Sequence, residues 1–183
     1  MSHFTVLVIG KNYEEQLAPY DEQLETPEYL KGEVSKEDIN DFVVYYTKSN
    51  PENIDLSVEE LYQKFGKDWN GGAWRFENGK INEYSDYNPN SKWDWYKEGG
   101  RWDGYLELID GASANCATMG EVKKPIKPTF AVVKNGEWYE KGDMGWWGIV
   151  KDEKEQGDWN KEFEKLLEDV SDDTELTIVD CHI

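Results

Sequence analysis

The chain has 183 residues, enough for one domain that buries about 70% of its unfolded surface. It carries 39 acidic against 20 basic side chains, a formal net charge of −19, which disfavours free nucleic acid as a partner because that binding depends on neutralising phosphates with Lys and Arg. No apolar run approaches the roughly 20 residues of a membrane span, and Phe4 to Ile9 is too short for the core of a secretory signal, so the expected location is the cytoplasm.

Taken in chain order, His3 to Ile9 is a β-rich run ending at Gly10 and hydrophobic enough for a central strand. Glu14 to Glu33, with Pro19, Pro27 and many charges, reads as a loop holding a short helical turn. Ser35 and Asp38 form a cap signal, and Ile39, Phe42, Val43 and Tyr46 follow at helical spacing, predicting a helix over 36–48. Ser57 and Glu60 repeat the signal ahead of Val58, Leu61, Tyr62 and Phe65, and Gly66 stops that helix. Ala73 to Phe76 and Lys80 to Tyr84 flank Asn78-Gly79, a hairpin turn that tolerates positive φ.

Asn88-Pro89-Asn90-Ser91 reads as a turn. Arg101 to Ile109 reads as a strand entered through Gly99-Gly100, and residues 110–128 as a loop. Thr129 to Val133 and Glu137 to Glu140 form a second hairpin around Asn135-Gly136. Asp158 is expected to cap a helix with Trp159, Phe163, Leu166, Leu167 and Val170 on one face. Thr174 to His182 closes the sequence as a strand. With no linker or internal repeat in view, the expectation is a single α+β domain with a mixed, mainly antiparallel sheet and about three helices. The core is rich in rings, since the chain holds 9 Trp, 11 Tyr and 6 Phe and each aromatic buries on the order of 150–250 Å².

Chemistry concentrates in Lys92 to Gly104, where aromatics, cations and glycines interleave. The only two arginines, Arg75 and Arg101, each adjoin a tryptophan, as Trp74-Arg75 and Arg101-Trp102. Guanidinium groups grip phosphate bidentately, Trp faces stack on flat rings, and glycines let backbone approach a ligand. Lys92, Trp93, Trp95, Arg101 and Trp102, with Arg75 and Trp147, are the candidate ligand-binding residues. The competing reading is that Trp93, Trp95 and Trp102 fill the core while Arg101 pairs with Asp94 or Glu98. Trp146 and Trp147, adjacent on an extended segment, are expected to face opposite ways, leaving one exposed unless a partner covers it.

Two isolated cysteines, Cys116 and Cys181, read as reduced thiols. His3 and His182 are the only histidines, and antiparallel pairing of the terminal strands would make them neighbours. His3-Phe4-Thr5 matches the His-x-Thr element of two-histidine phosphodiesterases, but a second copy is missing. A zinc site from these histidines and Cys181 lacks a fourth ligand, so neither a metal nor a cofactor is implied.

The strings MSHFTVLVIG, EEQLAPY, YNPNSKWDWY with GGRW, MGWWG and DCHI together resemble an uncharacterised protein family of bacteriophages and prophages, over nearly the whole length. The resemblance implies a phage or mobile-element setting, where small acidic proteins often counter host defences, and carries over no catalytic residue. The first expectation is therefore a non-catalytic binding protein, a phage counter-defence factor that captures a nucleotide-like ligand in the Trp/Arg/Gly-rich block. The second is an acidic inhibitor of the basic nucleic-acid groove of a host protein. The third is an enzyme acting on a nucleotide or phosphodiester through His3.

Overall fold

The structure is a computed structural model that describes residues 2–183, and the chain divides into two compact units. One comprises the residues up to Leu24 together with Asn88–Ile183, and the other is Glu25–Tyr87. Among the described residues no helix is long and apolar enough to cross a membrane. The fold is α+β, the described residues forming four α-helices and a mainly antiparallel main sheet with one parallel pair.

The first unit opens with β1 (His3–Ile9) and the short α1 (Tyr13–Leu17). The chain then builds the second unit from β2 (Tyr29–Glu33), α2 (Lys36–Ser49), α3 (Val58–Phe65), β3 (Trp74–Glu77) and β4 (Lys80–Ser85). It resumes the first unit with β5 (Trp95–Glu98), β6 (Leu106–Glu107), β7 (Ser113–Ala114) and β8 (Cys116–Thr118). β9 (Ala131–Lys134), β10 (Glu137–Glu140), β11 (Asp143–Met144), β12 (Val150–Lys151), α4 (Gln156–Leu167) and β13 (Glu175–His182) complete it.

The main sheet runs β10-β9-β1-β13-β5, with β8 also paired to β13. β1 is central because FTVLVI is apolar or β-branched at nearly every position and can be buried on both faces. Its odd residues Leu7 and Ile9 join Leu176, Ile178 and Val132 in a core closed by Trp159 and Phe163 of α4. The even residues Phe4, Val6 and Val8 join Val179, Cys181, Ala131 and Val133 in a second core with Leu17 and Trp93. Period-two alternation on paired strands thus divides one apolar sequence between two cores. The indole N–H groups reach backbone acceptors, Trp159 Nε1 donating to Thr129 O at 2.7 Å and Trp93 Nε1 to Leu17 O at 3.2 Å.

In the second unit, Ser35 Oγ accepts from Asp38 N to cap α2. Ser57 and Glu60 form the full reciprocal box on α3, and the hydrogen bonds from Ser57 hold the Glu60 carboxyl below the usual range. Both helices lie against β3 and β4 through Phe42, Leu61, Trp74 and Ile81. Gly66 ends α3 with ordinary right-handed dihedrals. Its requirement for glycine is steric, because a Cβ there would fall 2.0 Å from the Tyr62 ring. The two Asn-Gly turns form as expected, with Asn78, Gly79, Asn135 and Gly136 all at positive φ.

Several expectations need correction. Arg101 to Ile109 is no continuous strand: Gly100–Trp102 is a 3₁₀ turn, and only Leu106–Glu107 is extended. The strand lies earlier, at Trp95–Glu98, where pairing with β13 outweighs a charged local sequence. Tyr29–Glu33, read as loop, is an edge strand paired to β4, and 110–128, also read as loop, holds β7 and β8, the latter paired to β13. α4 begins with Glu155 at its N-cap, so Asp158 sits inside the first turn rather than capping it.

Phe163 is fully buried against both Trp159 and the sheet. Phe163→Ala should therefore destabilise the fold by about 3–5 kcal/mol through lost burial and a residual cavity. Urea denaturation monitored by far-ultraviolet circular dichroism checks this; a loss below 1 kcal/mol would mean that α4 is not docked as described.

Candidate functional site

The face of the main sheet that carries Leu7, Ile9, Leu176 and Ile178 turns polar at one end. Register makes this unavoidable. β1 and β13 pair antiparallel with His3 opposite His182 and Thr5 opposite Asp180, and β5 adds Trp95 opposite His182 and Lys97 opposite Asp180. One cross-strand row is therefore His3–His182–Trp95 and the next is Thr5–Asp180–Lys97.

The two imidazoles lie edge to face with ring centroids 4.8 Å apart. The Trp95 ring stacks on His182 at 5.0 Å with planes 19° apart and meets His3 edge-on at 5.3 Å. Each histidine is held through the same nitrogen. His3 Nδ1 lies 2.9 Å from Asp180 Oδ1, and His182 Nδ1 lies 2.7 Å from Asp94 Oδ1. A carboxylate only accepts, so Nδ1–H is the donor in both pairs, and the lone pair of each neutral ring is left on Nε2.

The carboxylates are themselves fixed. Asp180 has a side chain only 3% exposed, and its second oxygen accepts from the backbone N–H of Arg101 at 2.9 Å. Asp94 donates its own N–H to His182 O at 2.9 Å, so one residue grips His182 through backbone and side chain together. No buried side-chain nitrogen or oxygen among the described residues lacks a hydrogen-bond partner. A fully satisfied network of this kind holds its rings in one orientation.

Gly99 and Gly100 make the approach possible, at φ 65° and 54°. A Cβ on Gly100 would lie 2.4 Å from Asp180 Cβ, and one on Gly99 would lie 2.3 Å from Asn115 Nδ2. Asn115 ties down the same turn, its side chain accepting from Gly104 N and donating to Asp103 Oδ1, both at 2.7 Å. The glycines thus bring backbone close to a carboxylate of the chain itself.

The structure separates the sequence-derived candidates. Trp95 is 44% exposed and belongs to the histidine row. Trp93 is buried in the opposite core, because the bend at Asp94 breaks strand alternation between the two. Trp102 packs against the α4-side core. Lys92 is held by Glu140 at 2.7 Å and Asp143 at 3.0 Å; burial lowers its pKa, the two carboxylates outweigh this, and the net direction is up.

Arg75 lies in the second unit, paired with Glu28 and placed over the Tyr84 ring at 4.2 Å. Arg101 is exposed and pairs with neither Asp94 nor Glu98, since Asp94 is taken by His182. Trp147 is 79% exposed on a 3₁₀ turn, not an extended segment, with φ 65°; that turn is pinned by Gly148 N donating to Ser2 Oγ. The side chain of Trp146 lies outside the described residues.

Asp180 and Lys97 were not singled out from the sequence, and Asp94 was named only as a possible partner of Arg101. The available signal was the pairing of terminal strands, which places Asp180 two residues before His182 on one face. Cys181 stands on the other face, in the second core, so it cannot share an ion with the histidines. Among the described residues no group of three or more His, Cys, Asp and Glu is placed to hold a metal ion. In comparisons with family models, with curated proteins and with solved structures, no significant match was found.

Two predictions follow from this geometry. Gly100→Ala should cost more stability than Gly111→Ala, whose φ is also positive but whose Cβ would meet open space. The first variant adds the clash with Asp180 to a left-handed strain of about 1–2 kcal/mol. Paired urea titrations compare them, and equal losses would mean that the Asp180 carboxylate shifts freely. Both thiols are free, Cys116 exposed and Cys181 buried, and burial pushes the Cys181 thiol well up. Thiol titration with a disulfide reagent should therefore modify Cys116 alone in the native protein and both only after denaturation; rapid native labelling of Cys181 would contradict the packing.

Proposed function

We propose that the chain binds a small nucleotide-like phosphate ester at the Trp95–His182–His3 face and cleaves it by acid–base catalysis. The observation that carries this reading is the pair of His–Asp dyads set side by side, each with its carboxylate on Nδ1 and its Nε2 turned away from that carboxylate. Such an arrangement supplies one neutral imidazole whose Nε2 takes the proton of an attacking hydroxyl and a second, in its protonated form, whose Nε2–H gives a proton to the leaving oxygen. The flanking carboxylates fix tautomer and orientation, as the third member of a catalytic triad does. Trp95 offers an exposed face for a base, a contact worth about 1–3 kcal/mol.

The acidic chain suits a small ligand better than a polymer, because a polynucleotide would meet the repulsion of the whole surface. The phage counter-defence setting implied by the sequence resemblance is compatible with removal of a nucleotide signal. A second reading, capture without turnover, is favoured by one observation: the His182 side chain is only 5% exposed, which suits a ring that supports the Trp95 platform. Inhibition of a basic host protein rests on net charge alone.

The test is incubation of the full chain with a panel of ribo- and deoxyribonucleotide mono- and diesters, read by mass spectrometry. At least one ester should be converted. His3→Ala and His182→Ala should each lower its turnover about 10²- to 10⁴-fold, and Trp95→Ala should weaken binding. Conversion that survives both histidine changes would overturn the acid–base reading, and tight binding with no conversion would leave the capture reading standing in its place.

A further inference from the structure

We infer that the ligand carries a second phosphate beyond the one at the histidines, held by Lys97 and Arg101; this rests on the ligand site proposed above but not on its turnover. Lys97 follows Trp95 by two residues on β5, so both project from the same face of the sheet. Register sets Lys97 opposite Asp180 while Trp95 is opposite His182. Two residues along a strand span about 6.6–6.8 Å, which moves the ammonium one row along from the imidazole pair.

Arg101 arrives at the same row by another route. The left-handed turn at Gly99-Gly100 folds the chain back so that the Arg101 N–H bonds Asp180 Oδ2. Both cations are exposed. Neither side chain makes an ion pair, hydrogen bond or ring contact among the described residues.

Lys92, Lys123, Lys134, Lys141 and Lys154 are tied to carboxylates; what sets Lys97 and Arg101 apart from other unpaired lysines among the described residues, such as Lys36 and Lys151, is their place in the Asp180 row beside the histidines. The carboxylate that the register sets beside them, that of Asp180, already accepts from His3 and from backbone. Two unpaired cations beside a pair of imidazoles and an open indole face form a local anion receptor on an otherwise repulsive surface. A phosphate there would receive charge-assisted hydrogen bonds from both side chains. The ligand class is therefore a short nucleotide ester with one phosphate near His3 and His182 and another one row further along.

Binding of ApA, which has one phosphate, and of pApA, which has two, tests this by Trp fluorescence titration of the full-length His3→Asn protein, whose amide keeps a donor for Asp180 while turnover does not intrude. pApA should bind about tenfold or more tighter than ApA, the increment of one charge-assisted contact. The double change Lys97→Gln with Arg101→Gln should collapse that ratio to near unity without altering the melting temperature. Equal affinities before the change, a ratio that survives it, or no binding of either probe would each overturn the inference. A pApA advantage that depends on Lys97 and Arg101 would sustain it even if the wild type converts neither compound, which is the outcome that would remove the acid–base reading alone.

Discussion

Antiparallel pairing of β1 with β13 is the constraint on which the first unit depends. Its register runs unbroken from His3↔His182 to Ile9↔Leu176. A slip by one residue would exchange the two faces of one strand relative to its partner. Leu7 and Ile9 would then lose Leu176 and Ile178 as same-face neighbours, and both cores would be disrupted together. The same register places two histidines side by side. The energy that specifies it comes from apolar burial on both faces of the middle of the strands, while the chemistry sits at their polar ends.

Those ends show how a buried polar network can be kept without an orphaned group. Asp180 is nearly inaccessible, yet one oxygen faces an imidazole and the other a backbone N–H. Asp94 reaches the second imidazole from the neighbouring segment. Leaving the Asp180 carboxylate buried and unsatisfied would be costly, so the turn at Gly99-Gly100 and its fastening through Asn115 are structural requirements of the His3–Asp180 dyad. Rigidity of the supporting shell is what an acid–base or recognition site needs to hold its geometry.

The second unit is built on a different plan, with two capped helices against a three-stranded sheet. Its polar sheet face is internally paired. Arg75 is bound to Glu28, and Glu77 accepts from Asn82 and Tyr84, which holds the Glu77 carboxyl low. This matters for the reading of the arginines. From sequence both sat beside a tryptophan and looked equivalent; in the structure Arg75 is already bound to a carboxylate, while Arg101 is not.

Local signals determined much of this protein. The β-branched run of β1, the Ser57–Glu60 cap, the Asn78-Gly79 and Asn135-Gly136 turns and the apolar stripe of α4 act over a few residues, and each is written in consecutive positions. The nearness of His3 and His182 was also legible, because pairing two terminal strands antiparallel leaves few alternatives. Tertiary structure alone decided what became of the tryptophans. Trp93 and Trp95 have the same parity, and only the bend at Asp94, imposed where the chain joins β13, sends one into a core and leaves the other on the histidines. It alone made a strand of the charged segment Trp95–Glu98, whose extended form comes from a partner about 80 residues away, and it alone brought Asp94, Asp180 and Lys97 to one face. Spacing along a sequence records which neighbours share an element; which elements meet is settled by long-range burial, and the candidate site lies where three of them do.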